Sequence, residues 1–386
     1  MKASYLRQWV GRGAVLASTV WLSACVGNPT LQAHTEAKDW PPSPALIAHR
    51  GASAVRPEHT LEAYREAIRA GVDFIEPDLV ITNDGVLVAR HENAIAILNA
   101  DGSIKEATTN VAERPEFASR KTTKHIDGKD ITGWFVEDFT LAELKTLRAR
   151  ERIPAVRPEN VRFNDQLEVP TLQEVIDLAK AESARLGRTI GIYPETKHPT
   201  YFQSIGLPLE PVLLKVLGDN GWNHAGAPVL VQSFEVSNLR HIRSQSTVRL
   251  MQLVTPKGQP YDAVAAGQAT TYADMVTEKG LADMARYAYG VGLSKSMVIR
   301  VVDGKNAPAS PLVAQAQKAG LKVHAWTLRP ENQFLPASLK AQPASNGALR
   351  GNAQADMEDF LRSGIDGVFT DDPAVGMQVM QRLKLR

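Results

Sequence analysis

Charged and polar side chains recur where four strand-like segments of the sequence end. They are His49 and Arg50 in the first segment, Glu76 and Asp78 in the second, His91 in the third, and Glu195 and Lys197 in the fourth. Strand residues that a barrel buries are usually apolar, and ionised groups there are costly unless they are paired or bound to a metal. A single histidine or carboxylate at a strand end has a structural explanation. Four consecutive strands that deliver such groups to one end indicate a functional site.

The carboxylates in this set are suited to a metal ion. Glu76 and Asp78 are two residues apart, which places both on the same face of a strand. Together with Glu195 they form a set of hard oxygen donors of the kind that Ca²⁺ and Mg²⁺ prefer. The sequence has one cysteine and no histidine spacing typical of zinc.

The remaining groups favour chemistry at a phosphoryl oxygen. His49 and His91 come from different strands and could divide the acid and base roles near neutral pH. Arg50 and Lys197 supply fixed positive charges for an anion. A metal, two cations and a histidine pair provide charge stabilisation and proton transfer, which are the main requirements of phosphoryl transfer.

Short apolar segments alternate with amphipathic ones along the chain, which predicts an α/β fold with a parallel sheet covered on both faces. Strands are predicted over residues 46–50, 74–81, 86–91, 189–197, 228–234, 248–254, 290–293, 322–328 and 367–371. Helices are predicted over residues 60–70, 171–186, 209–220, 235–245, 277–288, 311–319 and 353–363, with Thr60 as an N-cap and Thr171 and Glu174 as a capping box.

Nine predicted strands are one more than a closed (β/α)8 barrel needs. The turn at 82–85 is too short for a crossover helix, so one strand or one unit departs from the regular pattern. We therefore expect a distorted (β/α)8 TIM barrel over residues 45–386. A polar stretch at about 95–168 is interpreted as an insertion after the third strand.

The amino-terminal residues predict export. Basic residues and a short apolar stretch fill residues 1–24, which is typical of a signal peptide, and Cys25 is the only cysteine. Leu22-Ser23-Ala24-Cys25 resembles the bacterial lipobox, in which the cysteine is acylated and becomes the mature N-terminus. The alternative is an ordinary signal peptide that is cleaved nearby. Residues 25–44 are then a tether, and Val26 after the cysteine favours a periplasmic protein anchored to the outer membrane.

Composition excludes several classes of protein. Hydrophobic residues make up 44% of the 386, which is ordinary for a globular protein and too high for disorder. No apolar run is long enough to predict a multispanning membrane protein. Removing residues 1–24 leaves 41 of the 44 Lys and Arg against 42 Asp and Glu, so no basic excess indicates nucleic-acid binding. One cysteine cannot form an intramolecular disulfide.

Nine motifs in order carry a resemblance to a known family. They are His49-Arg50-Gly51-Ala52-Ser53, Pro57-Glu58-His59-Thr60, Gly71 to Leu79, Thr82 to Gly85, Arg90-His91-Glu92, Gly191 to Pro199, Gln232-Ser233-Phe234, Val323 to Arg329 and Gly367 to Asp371. Together they resemble the glycerophosphodiester phosphodiesterase family over about residues 47–372. The bacterial periplasmic branch, which also has an insertion after the third strand, is the most similar.

The resemblance implies a barrel enzyme that hydrolyses small glycerophosphodiesters to sn-glycerol 3-phosphate and an alcohol with one divalent cation, Ca²⁺ or Mg²⁺. It implies that His49 and His91 are the catalytic acid and base, although not which is which. Its metal ligands correspond to Glu76, Asp78 and Glu195. Its phosphate contacts correspond to Arg50 and Lys197, and Trp326, in the motif from Val323 to Arg329, is a further expected substrate-binding residue.

Two positions depart from the family pattern. His59 stands where Asn is common, and Glu92 stands where Asp is common, which lengthens the carboxylate beside His91 by one methylene. One alternative function is a related barrel phosphodiesterase that acts on phospholipid or an envelope polymer. Another is a surface-binding lipoprotein without chemistry, which predicts a damaged set of catalytic positions, whereas here every position is present.

Overall fold

The structure is a computed structural model that describes residues 40–386 of the chain. The predicted signal peptide, Cys25 and most of the predicted tether lie outside the described residues. Among the helices of residues 40–386, none combines the length and the hydropathy needed to cross a lipid bilayer.

The structure has seventeen strands in its described residues. In chain order they are β1 (Ala45–His49), β2 (Phe74–Glu76), β3 (Asp78–Ile81), β4 (Leu87–Ala89), β5 (Ala94–Leu98), β6 (Ile104–Ala107), β7 (Thr122–Ile126), β8 (Lys129–Phe135), β9 (Gly191–Ile192), β10 (Glu195–Thr196), β11 (Leu230–Ser233), β12 (Arg249–Val254), β13 (Gly290–Ser294), β14 (Ile299–Val302), β15 (Lys305–Ala309), β16 (Lys322–Leu328) and β17 (Gly367–Thr370).

Thirteen α-helices lie between these strands in the described chain. They are α1 (Leu61–Ala70), α2 (Leu141–Leu144), α3 (Leu172–Leu186), α4 (Pro199–Ser204), α5 (Leu209–Asp219), α6 (Val236–Gln245), α7 (Tyr261–Ala265), α8 (Tyr272–Met275), α9 (Glu278–Met284), α10 (Lys295–Val298), α11 (Leu312–Lys318), α12 (Ala353–Arg362) and α13 (Pro373–Arg382). Short 3-10 helices cover Val111–Glu113, Pro115–Arg120, Val136–Asp138, Pro158–Phe163, Asn332–Phe334 and Ala337–Leu339.

Eight parallel strand positions close into a ring, which confirms the predicted TIM-barrel fold. From β1 the ring passes through β2 with β3, then β9 with β10, β11, β12, β13, β16 and β17, and β17 pairs with β1. The second and third positions are each divided at a proline, Pro77 and Pro194, because proline has no N–H for the ladder. The prolyl oxygens still accept bonds from Glu195 and Gln232, both at 2.9 Å.

One of the nine predicted strands, β4, does not belong to the parallel ring. It pairs antiparallel with β3, with Leu79 opposite Ala89 and Ile81 opposite Leu87. β4 is therefore the strand that departs from the regular pattern, as the short turn at 82–85 predicts. The four-residue turn forms a hairpin, as its length requires.

The predicted insertion contains a four-stranded antiparallel sheet in the order β6-β5-β8-β7. Because β4 is the return strand of a hairpin, this sheet and α2 interrupt the barrel between its second and third strand positions. β14 and β15 form a separate two-stranded hairpin that the sequence analysis did not predict.

The helices begin where the sequence provides capping groups. Thr60 accepts a hydrogen bond from the N–H of Ala63 and starts α1, and Thr171 and Glu174 form the predicted capping box of α3. The helices α1, α3, α6, α11, α12 and α13 pack on the outer face of the barrel strands. This leaves the ends of the strands as the place where polar side chains converge.

Aromatic side chains fill the barrel below those ends. Tyr193 packs on Phe74 and Phe369 with ring centroids 5.7 and 5.0 Å apart, and its hydroxyl lies 3.0 Å from Nδ1 of His324. Each of these three rings comes two residues before a polar residue at the same strand position. The ring and that polar residue therefore point to the same side, into the barrel. The packed rings form a floor beneath the polar groups.

Candidate active site

A cavity of about 120 Å³ opens at the carboxyl ends of the barrel strands. Seven predicted site residues line it: His49, Arg50, Glu76, His91, Glu195, Lys197 and Trp326. The other lining residues are Gln232, Phe234, Leu253, Thr327, Arg329 and Phe369. The eighth predicted residue, Asp78, lies within the same cluster of carboxylates as Glu76 and Glu195. The structure therefore brings all eight together.

Three buried carboxylates form one part of this site. One oxygen each of Glu76, Asp78 and Glu195 lies within 4.8 Å of the other two. Burial raises the pKa of Glu76 well above its usual range, with Asp78 and Glu195 adding to the effect, and it raises the pKa of Glu195 to about 7. Burial also opposes ionisation of Asp78, but Lys197 and His59 outweigh it and hold that pKa low. The cluster has more negative charge than its neighbours neutralise.

The turn after β1 orients Glu76. The backbone N–H of Arg50 donates to Oε2 of Glu76 at 2.8 Å, and Gln232 donates to Oε1 at 3.1 Å. Arg50 and Gly51 both have positive φ, at 60° and 90°. A Cβ on Gly51 would lie 2.7 Å from the backbone of Ala63, so only glycine fits this turn.

The other two carboxylates are also held by neighbouring side chains. Nε2 of His59 lies 2.9 Å from Oδ2 of Asp78, and Nδ1 of the same ring lies 2.9 Å from the hydroxyl of Tyr64. Lys197 donates to Oε1 of Glu195 at 2.9 Å. Contacts of this kind fix the orientation of carboxylates that ligate a metal.

His49 is held by a carboxylate at the far end of the chain. Its Nδ1 lies 2.6 Å from Oδ1 of Asp371, whose other oxygen accepts hydrogen bonds from Arg157 and from Arg329 at 2.9 Å. Burial, with the charge of Arg50, lowers the pKa of His49 to about 4 against the opposing effect of Asp371. Because Nδ1 faces a carboxylate, it holds the proton of the neutral ring and Nε2 is the basic nitrogen.

His91 reaches the site because β4 runs back along β3. The N–H of Arg90 donates to the carbonyl oxygen of Asp78 at 2.9 Å, which brings the following residue level with the carboxylates. Nδ1 of His91 lies 3.0 Å from Oε1 of Glu92, so the longer carboxylate does contact the ring. Burial and the charge of Arg50 lower the pKa of His91.

A second histidine connects Glu92 to the insertion. His198 lies 2.7 Å from Oε2 of Glu92 through Nε2 and 2.6 Å from Asp127 through Nδ1. Burial alone would lower the pKa of His198, but the hydrogen bonds to Asp127 and Glu92 outweigh it and raise the pKa to about 9. No role was predicted for His198.

Three cations surround the cavity. Arg50 donates from Nη1 to both oxygens of Glu58 at 3.2 and 3.1 Å, which holds its guanidinium in place. Lys197 remains protonated because Glu195 raises its pKa against the effect of burial. Arg329, which was not predicted, is the third and also contacts Asp371. A phosphate is the kind of anion that such a set binds.

Aromatic side chains form the remaining wall. Trp326 is half-buried, and its Nε1 donates to the carbonyl oxygen of Gly292 at 2.9 Å. The ring of Phe234 packs edge-on against it with centroids 5.6 Å apart. Trp326 therefore lines the cavity as predicted, in a fixed orientation.

Several residues in the site were missed from the sequence. Asp371, Arg329 and Gln232 follow or end barrel strands, and the rule that selected the first four segments applies to their strands as well. Arg157 comes from the insertion, where no pattern in the sequence marks it.

Comparisons with known proteins agree on one family. The model of the glycerophosphoryl diester phosphodiesterase family matches residues 49–375 of this chain. The chain is 30% identical over 378 residues to the glycerophosphodiester phosphodiesterase GDPD6 of Arabidopsis thaliana, covering 92% of this chain and 93% of the relative.

Solved structures share the fold at lower identity. A structure from Silicibacter pomeroyi has a TM-score of 0.60 at 20% identity and covers 89% of this chain and 95% of its own. An Oleispira antarctica phosphodiesterase in complex with the product sn-glycerol-3-phosphate has a TM-score of 0.54 at 19% identity, with coverages of 88% and 97%.

Proposed function

The chain belongs to the glycerophosphodiester phosphodiesterase family and is an enzyme of that class. We propose that it hydrolyses glycerophosphodiesters to sn-glycerol 3-phosphate and an alcohol, and that the reaction uses a divalent cation and a histidine pair. The observation that carries the proposal is the convergence of the eight predicted residues on one cavity and its carboxylate cluster. The Oleispira relative, which was solved with sn-glycerol-3-phosphate, supports the choice of product.

The carboxylate cluster fits a divalent cation. Its donors are all oxygen atoms, and its uncompensated negative charge favours a cation. Glu76, Asp78 and Glu195 would hold Ca²⁺ or Mg²⁺, and such an ion, when bound, stabilises the charge that develops on the phosphate oxygens. Arg50 and Gln232 keep Glu76 in position for this role.

The cations of the site hold the phosphate. Arg50 and Lys197 face the cavity beside the carboxylates, and each is fixed by a glutamate, Glu58 and Glu195. Their charge stays in place whether or not substrate is bound, so it needs no rearrangement during the reaction. Trp326 lines the same cavity.

The two histidines move the protons. Hydrolysis forms a bond from phosphorus to the attacking oxygen, of water or of the glycerol 2-hydroxyl, and breaks the bond to the departing alcohol. One neutral imidazole takes the proton of the attacking oxygen, and the other, protonated, gives a proton to the leaving alkoxide. If the 2-hydroxyl attacks, water then opens the cyclic phosphate. Since Nδ1 of His49 and of His91 each contacts a carboxylate, Nε2 of each ring is left for substrate.

Binding of the substrate favours protonation of one of the two histidine rings. Burial lowers the pKa of both His49 and His91, so both are neutral at pH 7 before substrate arrives. The negative charge of a phosphodiester favours the protonated form of a nearby imidazole. The histidine that becomes protonated when substrate binds then acts as the general acid.

Hydrolysis of a substrate panel tests the function. Purified enzyme is incubated with glycerophosphodiesters and with intact phospholipids, with and without EDTA, and released sn-glycerol 3-phosphate is measured. We expect release from the glycerophosphodiesters alone and loss of activity in EDTA. Cleavage of phospholipid in preference to its deacylated form would favour the alternative enzyme, and no cleavage of any diester would favour the binding lipoprotein.

We also propose that the protein is periplasmic and anchored to the outer membrane through a lipid on Cys25. The support is the lipobox-like sequence and the fact that Cys25 is the only cysteine of the sequence, so its thiol has no other cysteine with which to form a disulfide. Val26 follows the acylated residue, where aspartate would favour retention at the inner membrane.

A further inference from the structure

A second cavity, of about 360 Å³, adjoins the catalytic cavity. Glu195, Lys197 and Phe234 line both cavities, so a ligand held at Lys197 can reach from one into the other. A phosphodiester has two arms, and the smaller cavity already holds the phosphate-binding groups. One arm of the substrate therefore has the second cavity available to it.

Aromatic rings connect the two cavities. The ring of Phe234 packs on Trp326 with centroids 5.6 Å apart and on Tyr272 with centroids 6.2 Å apart, both edge-on. Tyr261 and Tyr272 line the second cavity together with Phe234. These rings provide an apolar wall, and the negative face of an aromatic ring attracts cations.

Most charges in the second cavity are already paired. Lys197 donates to Glu195 at 2.9 Å, and protonated His198 lies 2.6 Å from Asp127. These four residues are the paired charges among the lining residues, and they cancel. The remaining titratable acid in the lining is Glu235.

Glu235 is buried without an ion-pair partner in residues 40–386. Glu235 is only 3% exposed. Its carboxylate accepts hydrogen bonds from the N–H of Thr200 at 3.1 Å and from the Thr200 hydroxyl. Burial, with the charges of Asp262 and Asp127, raises the pKa of Glu235 to about 8. A buried carboxylate without a cation is costly, and an opposite charge nearby would favour its ionised form.

We infer that the second cavity binds the leaving alcohol and selects alcohols with an ammonium group, such as choline or ethanolamine, with Glu235 as the counter-ion and Phe234, Tyr261 and Tyr272 as the aromatic wall. This inference rests on the proposed function and names its substrate class. A neutral polyol such as inositol would leave Glu235 unpaired and would place hydroxyl groups against the aromatic rings. The glycerol arm, which is also neutral, is left to the catalytic cavity.

Competition between substrates tests the inference. Values of kcat/KM are measured for glycerophosphocholine and glycerophosphoethanolamine and for the neutral-alcohol substrates glycerophosphoinositol and glycerophosphoglycerol. We expect a preference of about tenfold for the cationic class, mainly in KM. E235Q, which keeps an oxygen for Thr200, should reduce that preference to near one. The control E278Q removes an exposed carboxylate on α9 and should keep the preference of the wild type.

A second variant keeps the test valid if E235Q does not fold. Tyr261 is partly exposed on α7, and Y261A removes one wall of the cavity without an interior void, so it should reduce the preference as well. Equal kcat/KM for both classes, or a preference that survives in E235Q or Y261A, would overturn the subsite while leaving the proposed function in place. Failure to cleave any of the four diesters would overturn the proposed function and the subsite together.

Discussion

Nδ1 of His49, at the end of the first barrel strand, lies 2.6 Å from Oδ1 of Asp371, which directly follows the last one. The two residues are 322 positions apart in the chain. Asp371 also receives hydrogen bonds from Arg157 and Arg329, so one carboxylate orients a histidine and pairs with two arginines. Orientation of the His49 ring and stability of the barrel therefore depend on the same group.

D371N should lower both activity and stability. The amide cannot stabilise a protonated His49, and we expect kcat to fall on the order of 10²-fold with a smaller change in KM. It also weakens the contacts of Arg157, which keeps Glu331 as an ion-pair partner, and of the partly exposed Arg329, so we expect a loss of about 1–3 kcal/mol of unfolding free energy. The control is D366N at the other end of β17, where Asp366 contacts Lys322 and a backbone N–H; it should lower stability and keep kcat. A normal kcat in D371N would mean that Asp371 is only structural.

Metal should stabilise the protein as well as activate it. We expect Ca²⁺ or Mg²⁺ to raise the unfolding midpoint of EDTA-treated protein. At a metal concentration of 100 times Kd, the free energy of unfolding should increase by about 2.7 kcal/mol. E76Q and D78N should reduce this shift and the activity because each removes a donor, while E278Q should retain both. Full activity of metal-free enzyme, or a midpoint that metal does not change, would contradict the site.

H49A and H91A should each lower kcat by on the order of 10²–10⁴, with KM less affected because Arg50 and Lys197 still hold the phosphate. A nitrophenyl ester, whose leaving group needs no proton, should restore only the variant that lacks the acid. H241A, which changes an exposed histidine on α6, is the matched control. If both site variants retain near-normal kcat on glycerophosphocholine, the proton-transfer scheme is wrong.

The stability that His198 contributes should depend on pH. Its folded pKa of about 9 lies above the ordinary 6.5, so its contribution is complete below pH 6.5 and is lost as pH rises through about 9. The shift corresponds to on the order of 3 kcal/mol. Denaturant unfolding of wild type and H198Q should therefore differ most at pH 6 and little at pH 10. The exposed His224 serves as control in H224Q, and a difference that grows with pH would contradict the ion pairs.

The lipid anchor should determine where the protein is found. Wild type should fractionate with outer membranes, whereas C25S should be released or should remain unprocessed, because its hydroxyl cannot carry the thioether lipid. Immunoblotting of membrane and soluble fractions measures this. Normal cleavage together with unchanged membrane association in C25S would count against acylation.

Local sequence patterns predicted the helices and strands of the fold better than they predicted which strands pair and in which direction. The capping box of α3 and the bounds of β16 depend on neighbouring residues, and both are confirmed. The direction in which β4 pairs depends on the length of the turn that precedes it and on what lies across the sheet. Its apolar residues alone are compatible with either a parallel or an antiparallel partner.

The same difference applies to the site. Glu76 and Asp78 could be found from their spacing because they flank Pro77 within one strand position of the barrel. The residues that hold His49 could not, since Arg157 comes from the insertion and Asp371 from the opposite end of the chain. The pairing of His49 with His91 could be inferred because each lies at the end of a strand-like segment, but periodicity does not give the antiparallel direction of β4 that brings His91 to the carboxylates.

The pairing of β1 with β17 has a consequence for the order of events during synthesis. A ribosome-bound chain contains both histidines and all three carboxylates long before Asp371 is made, but until then β1 and β16 have open edges and His49 has no carboxylate partner. Ring closure also joins segments of very high sequence separation, which slows folding. A chain that ends before β17 therefore lacks both the strand that closes the ring and the carboxylate that holds His49.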